Sequence, residues 1–98
     1  MPDTPPSDAG LTRSMTICNR RGLHARAAAK FVRLCETFDA EITVSREGQS
    51  VGGLSIMGLM MLAAGNGSDI TVAADGVDAE AALDALQSLV EGGFDETD

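Results

Sequence analysis

The chain has 98 residues, 15 of them acidic and 7 basic, so its formal net charge at neutral pH is −8. A chain of this length forms one domain with a single modest core, which excludes a deep, enclosed active site. The acidic surface repels phosphates and so excludes a nucleic-acid partner, and the longest apolar stretch, residues 56–64, is too short for membrane insertion, which needs about 20 residues.

The ends of the chain are polar and differ in composition from the segment between them. Residues 1–11 contain three Pro, two Asp and one Ser and lack the basic start and apolar run of a secretory signal, which predicts a disordered tail on a cytoplasmic protein. We predict one domain over residues 12–93 and an acidic tail over residues 94–98. Cys18 and Cys35 are typical of small buried side chains in a reducing compartment, and we expect no metal and no cofactor.

The first half of the predicted domain contains strand, helix and hairpin patterns. Residues 14–18 alternate polar and apolar side chains, which predicts a short strand. Residues 24–37 carry apolar side chains at three- and four-residue steps, which predicts an amphipathic helix. A second alternating segment over residues 41–46, a Glu47-Gly48 turn and a return strand over residues 49–51 predict a hairpin.

The second half continues with helix, strand and helix. A helix is predicted to begin near Ser55 and to close at Gly65-Asn66-Gly67, and residues 69–74 alternate as a strand. The last helix is predicted from an N-cap at Asp78 to the glycines at 92–93. The order βαββαβα predicts an α+β open-faced sandwich, with a small antiparallel sheet of four strands and three helices on one face.

His24 is the only histidine of the chain, and it lies where the first predicted strand gives way to the first helix. N–H groups at a helix start lack intrahelical partners and favour an anion, and Arg26 offers a fork of donors to phosphate oxygens. An imidazole lone pair can attack phosphorus, so the arrangement fits a covalent phosphohistidine. The residues alone leave open the alternative that His24 is a surface or helix-capping histidine without chemistry.

Ser55 precedes an apolar helix, where its side chain can act as an N-cap worth about 1 kcal/mol. The helix that follows is too uniformly apolar to bury all its side chains, so some of them must face solvent. Methionine is well suited to such a surface because its flexible side chain adapts to several partners.

The segments GLHAR at residues 22–26 and SIMGLM at residues 55–60 are in register with each other and with the predicted order of elements. Together they resemble the phosphorylation motif and the regulatory serine segment of HPr, the histidine-containing phosphocarrier family of the bacterial phosphoenolpyruvate-dependent phosphotransferase system. The resemblance covers roughly residues 11–92. It implies a phosphoryl carrier that works with partner enzymes and is not itself an enzyme.

The resemblance also implies roles for individual residues and partners. His24 would accept the phosphoryl group through Nδ1, and Arg26 would stabilise it. Enzyme I would be the donor, and IIA proteins or domains the acceptors. Ser55 would be a regulatory site for HPr kinase/phosphorylase.

The same resemblance assigns a docking surface. Ile56, Met57 and Met60 would form an exposed apolar patch gripped by enzyme I and IIA proteins, and Lys30 and Arg33 would steer acidic partner surfaces toward it. We expect a monomer, because a carrier must present one face in turn to several proteins.

The chain departs from the family pattern at two places, where Ala27 replaces a usual proline and Arg20-Arg21 replace small or amide residues. One alternative function is a regulatory binding protein of the nitrogen-related phosphotransferase branch, whose phosphorylation state controls partner proteins. Another is an unrelated small α/β ligand-binding domain in which the histidine is incidental.

Overall fold

The structure is a computed structural model and describes residues 10–96. Residues 1–9, which include most of the predicted N-terminal tail, and residues 97–98 lie outside the described range. The elements within that range, in chain order, are β1 (Leu11–Thr16), α1 (Ala25–Cys35), β2 (Glu41–Arg46), β3 (Gln49–Gly52), α2 (Ile56–Met61), β4 (Asp69–Asp75), α3 (Ala79–Glu91) and a single 3₁₀ turn (Gly93–Asp95).

The strands form an antiparallel sheet in the order β1-β4-β2-β3. Its register places Met15 opposite Ile70 and Val44 opposite Val72, and all four side chains are buried. Because side chains alternate across a strand, this pattern gives the sheet one apolar face. Helix α3 packs on β1 and β4, and α1 packs against both α2 and α3. The predicted α+β open-faced sandwich is confirmed.

Helix α2 is shorter than the sequence pattern indicates, because it ends at Met61 instead of continuing to the glycines at 65–67. Two features stop it. Ala63 has a left-handed backbone with a φ of 53°, and the guanidinium of Arg46 donates to the carbonyl oxygen of Leu62 at 3.0 Å. The side chain thus satisfies a carbonyl group that the helix end leaves without an intrahelical partner.

Asp78 is the N-cap residue of α3, as predicted, but it does not cap the helix through its side chain. Its Oδ2 accepts from the backbone N–H of Asp39 at 2.7 Å instead, so the carboxylate ties the start of α3 to the end of the segment after α1.

The predicted acidic tail beginning at residue 94 is wrong over the described residues. Phe94 is completely buried in the main apolar core, and its carbonyl oxygen accepts from Nζ of Lys30 at 2.7 Å. At the other boundary, Leu11 is the first residue of β1 and pairs with Ala74. One aromatic side chain among acidic neighbours does not change local composition, and so the composition placed the domain end too early.

Phe94→Ala should destabilise the fold by about 3 kcal/mol, because truncating a buried phenylalanine loses its transfer free energy and leaves a cavity. Urea denaturation followed by circular dichroism measures the change. Val77→Ala is the matched control, since Val77 is 83% exposed and its truncation should change the free energy of unfolding by less than about 0.5 kcal/mol. Equal stabilities for the two variants would contradict the packing of Phe94 in the core.

Candidate functional site

His24 is the N-cap of α1, with extended backbone dihedrals of −77° and 178°. Its Nδ1 accepts from the backbone N–H of Arg26 at 3.2 Å, and its carbonyl oxygen accepts from Ala28 at 2.8 Å. His24 therefore caps α1, and capping directs its Nδ1 toward the N-terminus of this 11-residue helix. Such a helix end presents N–H donors and a positive dipole end to any anion bound there.

The loop before α1 is held in place by the loop that follows α2. The N–H of Leu23 donates to the carbonyl oxygen of Ala64 at 2.9 Å. Gly22 has a φ of 68°, and a Cβ at this position would lie 2.5 Å from that same oxygen and 2.8 Å from Cα of Gly65. Glycine is thus required here for both its conformation and its small size.

The second ring nitrogen of His24 has a partner that sequence reasoning missed. Nε2 hydrogen-bonds Oε2 of Glu96, and the two side chains are only 17% and 14% exposed. The residues lie 72 positions apart, and nothing in an acidic chain end distinguishes this glutamate from its neighbours. The one sequence feature that could have indicated it is the apolar Phe94 two residues earlier.

Asn19 holds the carboxylate of Glu96 in place by a hydrogen bond. Asn19 is 4% exposed, and its Nδ2 donates to Oε1 of Glu96 at 3.1 Å and to the carbonyl oxygen of Gly22 at 2.9 Å. Its Oδ1 is buried without a hydrogen-bond partner in residues 10–96, a deficit that typically costs about 1–3 kcal/mol. The orientation of the Asn19 amide is therefore set by the two oxygens to which Nδ2 donates, and this orientation leaves Oδ1 without a donor.

The hydrogen bond from His24 holds the pKa of Glu96 below its ordinary value of 4.5. Partial burial acts in the opposite direction, while the hydrogen bond from Asn19 and the charges of His24 and Arg21 lower the pKa further. The contacts of Glu96 thus favour its ionised form.

A strained turn just before Glu96 places its side chain next to His24. Gly93, Phe94 and Asp95 have consecutive left-handed φ values of 74°, 57° and 62°. This conformation costs roughly 1–2 kcal/mol for each of the two residues that are not glycine. Burial of the Phe94 side chain contributes about 1.5–3 kcal/mol in compensation, and the hydrogen bond from Lys30 to the Phe94 carbonyl oxygen fixes the turn against α1.

The predicted basic residues of α1 are not equivalent. Arg26 and Arg33 are exposed, whereas Lys30 is half-buried and bound to the turn that carries Glu96. The structure therefore gives Lys30 a structural contact that the sequence pattern did not indicate.

Ser55 is the N-cap of α2, as predicted, and its Oγ accepts from the N–H of Gly58 at 2.9 Å. The side chain remains exposed. The predicted apolar residues beside it are exposed too, Met57 most of all at 73%, and Leu54 and Met61 extend the same surface. We define the α2 patch as these exposed apolar residues: Leu54, Ile56, Met57, Met60 and Met61.

The two cysteines are unpaired, and only one of them is buried. Burial, with a smaller contribution from Glu36, raises the pKa of the Cys35 thiol to about 12, so that it stays protonated. Cys18 was expected to be buried and is exposed instead, with its thiol donating to the carbonyl oxygen of Glu91 at 3.2 Å.

Two kinds of feature are absent from the described residues. Residues 10–96 contain no group of three or more His, Cys, Asp or Glu side chains placed to hold a metal ion. Within the same range, none of the helices combines the length and apolar character needed to span a bilayer.

Comparison with known proteins gives consistent matches over most of the chain. The family model "PTS HPr component phosphorylation site" matches residues 11–92. Phosphocarrier protein NPr of Shewanella violacea is 50% identical over 86 residues, covering 88% of this chain and 94% of that protein. Phosphocarrier protein HPr of Cupriavidus necator is 49% identical over 86 residues, covering 88% and 97%. The crystal structure of HPr from Bacillus anthracis aligns with a TM-score of 0.80 at 43% identity, covering 84% of this chain and 98% of that one.

Removing the His24 ring should move the titration of the Glu96 carboxyl group up toward 4.5, because the hydrogen bond from His24 is the main cause of its lowered pKa. A lowered folded-state pKa means that the contribution of Glu96 to stability is complete above pH 4.5 and is lost as the pH falls through the lowered value. Carboxyl ¹³C shifts of wild type, His24→Ala and the control Val77→Ala measure the effect. Identical Glu96 titrations in all three proteins would contradict the contact.

Proposed function

The chain belongs to the HPr family and is an HPr-type phosphocarrier of the phosphotransferase system, and from this premise we propose that Nδ1 of His24 accepts a phosphoryl group from enzyme I and passes it to a IIA protein or domain. The observation that carries the assignment is the position of Nδ1, which accepts a backbone N–H at the N-terminus of α1. Proteins of this family interact with phosphotransferase-system enzymes and act as carriers rather than catalysts.

The helix end suits the phosphorylated product. When Nδ1 bonds phosphorus it can no longer accept from Arg26, and the N–H groups of the first turn become donors to the phosphoryl oxygens. The helix dipole adds roughly 0.3–1 kcal/mol for a negative group at this end. The guanidinium of Arg26 is exposed on the same turn and supplies a planar fork of donors for the same oxygens.

The exposure of the site determines the division of labour with the partner. His24 lies at the surface with a small exposed fraction of its side chain, so a bound phosphoryl group can be reached by another protein. Water is excluded from the reacting atoms only when that protein covers them, as expected for transfer by positioning and charge stabilisation.

We propose the α2 patch as the docking surface for enzyme I and IIA partners. Four exposed apolar side chains on a six-residue helix, with Leu54 two residues before it, form an unusual concentration for a chain of this charge. Flexible methionines also adapt to more than one partner. Arg33 adds an exposed positive charge on the neighbouring helix α1, and Lys30 adds its charge from the fixed position described above. A monomer acting in the cytoplasm fits this use of one shared surface.

His24→Ala should abolish phosphorylation, because no other imidazole exists in the chain. The purified protein is mixed with enzyme I, magnesium and labelled phosphoenolpyruvate, and acid-labile label is counted on wild type and variant. A known HPr serves as the control that enzyme I is active. Label on the variant, or none on wild type while the control protein is labelled, would overturn the assignment.

We propose Ser55 as a regulatory phosphorylation site for HPr kinase/phosphorylase. Its hydroxyl is exposed and lies at the start of the helix that carries the α2 patch. A phosphoryl group adds about −1.5 to −2 charge at pH 7. The helix start tolerates this charge, but the adjoining apolar surface has to bury it when a partner docks.

Ser55→Asp should lower the rate of phosphoryl transfer from enzyme I by roughly tenfold, because burying or displacing one charge at an interface costs about 1.4 kcal/mol or more. Its free energy of unfolding should change little, since aspartate caps helices as well as serine does. Ser14→Asp is the matched control, because Ser14 is exposed on β1 and away from the helical face of the sheet. Equal transfer rates for the two variants would contradict the regulatory role.

A second candidate function is regulation within the nitrogen-related branch, where the phosphorylation state of the carrier controls other proteins. The observation that favours it is the match to an NPr protein at 50% identity, beside the match to an HPr protein at 49%. Labelling the chain in parallel with enzyme I from the sugar branch and from the nitrogen branch distinguishes the two, since the cognate donor transfers faster.

A further inference from the structure

The turn after α3 brings a carboxylate to the reactive histidine by a strained route. Three consecutive residues adopt left-handed φ values, Phe94 is buried, and Lys30 bonds its carbonyl oxygen. Conformational strain of this kind persists where surrounding contacts enforce it, and it is concentrated at functional sites. The product of the arrangement is a single contact, between Oε2 of Glu96 and Nε2 of His24.

We propose that Glu96 is a positioning residue for phosphoryl transfer. Its carboxylate selects the tautomer of His24 that leaves Nδ1 free to attack, and it then compensates the positive charge of the phosphorylated ring. The proposal rests on the carrier function described above and adds to it a residue outside the motif around His24.

The tautomer follows from the hydrogen-bond partners on the two sides of the ring. An ionised carboxylate only accepts hydrogen bonds, so Nε2 facing Glu96 must carry the proton. The backbone N–H of Arg26 only donates, so Nδ1 facing it must carry the lone pair. Both neighbours impose the same assignment, and the nucleophilic atom is the one at the helix end.

The carboxylate is itself held in place. Oε1 accepts from Nδ2 of Asn19 at 3.1 Å, and the backbone N–H of Glu96 donates to the carbonyl oxygen of Gly93 at 3.0 Å. Asn19 makes this contact although its own Oδ1 remains buried without a partner in residues 10–96. The lowered pKa of Glu96 is consistent with a carboxylate that stays ionised at neutral pH.

The transfer step balances without any further reactant. The lone pair of Nδ1 forms the new N–P bond, while the bond between phosphorus and the donor atom of enzyme I breaks and its electron pair stays on the donor. The proton on Nε2 remains on the ring, which becomes cationic. Its hydrogen bond to Glu96 then joins opposite charges and becomes stronger.

The test compares wild type, Glu96→Gln and Asp95→Asn. Each variant removes one negative charge, but Asp95 is exposed and lies beside Glu96 in the sequence, and asparagine tolerates its φ of 62°. Imidazole ¹⁵N shifts give the tautomer of His24 in the unphosphorylated proteins. Initial rates of label transfer from enzyme I give the effect on phosphoryl transfer. The NMR spectrum of the backbone amides shows whether Phe94 stays packed in the core.

In Glu96→Gln we expect a measurable population of the tautomer protonated at Nδ1, and a transfer rate roughly tenfold below wild type, because a neutral amide replaces a charged acceptor and can also donate to Nε2. Asp95→Asn should retain the wild-type tautomer and a rate within about twofold of wild type.

Wild-type tautomer and rate in Glu96→Gln would overturn the proposal. So would a slower rate with an unchanged tautomer, because the substitution would then slow transfer by a route other than the ring. Equal slowing in Asp95→Asn would also overturn it, because that is an effect of net charge. Absence of label on all three proteins would instead refute the carrier function, and the ¹⁵N spectra would still show whether Glu96 sets the tautomer.

Discussion

The two nitrogens of one imidazole ring are held by groups of opposite hydrogen-bonding character, and the arrangement of the site depends on this. A backbone donor at the start of α1 holds Nδ1, and a carboxylate from the end of the chain holds Nε2. The ring is thereby fixed in rotation without being enclosed. The proposed transfer needs this combination, because Nδ1 would have to be oriented for attack and yet remain reachable by both the donor and the acceptor protein.

Each contact to His24 depends on a feature elsewhere in the fold. The donor exists because α1 starts at residue 25, after a loop that only glycine at position 22 can form against the backbone of residues 64 and 65. The carboxylate is in place because burial of Phe94 offsets two left-handed residues. The stability of the fold and the orientation of His24 thus depend on the same few packing contacts, and burial of Phe94 in the apolar core offsets the strain of the turn.

Much of the fold could be predicted from the sequence because it depends on local periodicity. The strand over residues 41–46 and the capping of α2 by Ser55 follow from alternation and from the chemistry of an N-cap, and both are confirmed. His24 and its helix end could be located for the same reason. Glu96 and Asn19 could not, because their roles depend on a chain reversal that brings together residues 72 and 77 positions apart, and no periodic pattern records such a contact.

The backbone hydrogen bond from Leu23 to Ala64 directly joins the segment before α1 to the segment after α2. The proposed docking surface and the proposed phosphoryl acceptor are therefore connected through a direct backbone hydrogen bond. Under the proposed function, a protein docked on α2 would approach Nδ1 of His24 at a set distance and angle. Different partners that match this apolar surface would then present their reacting atom to His24 from the same direction.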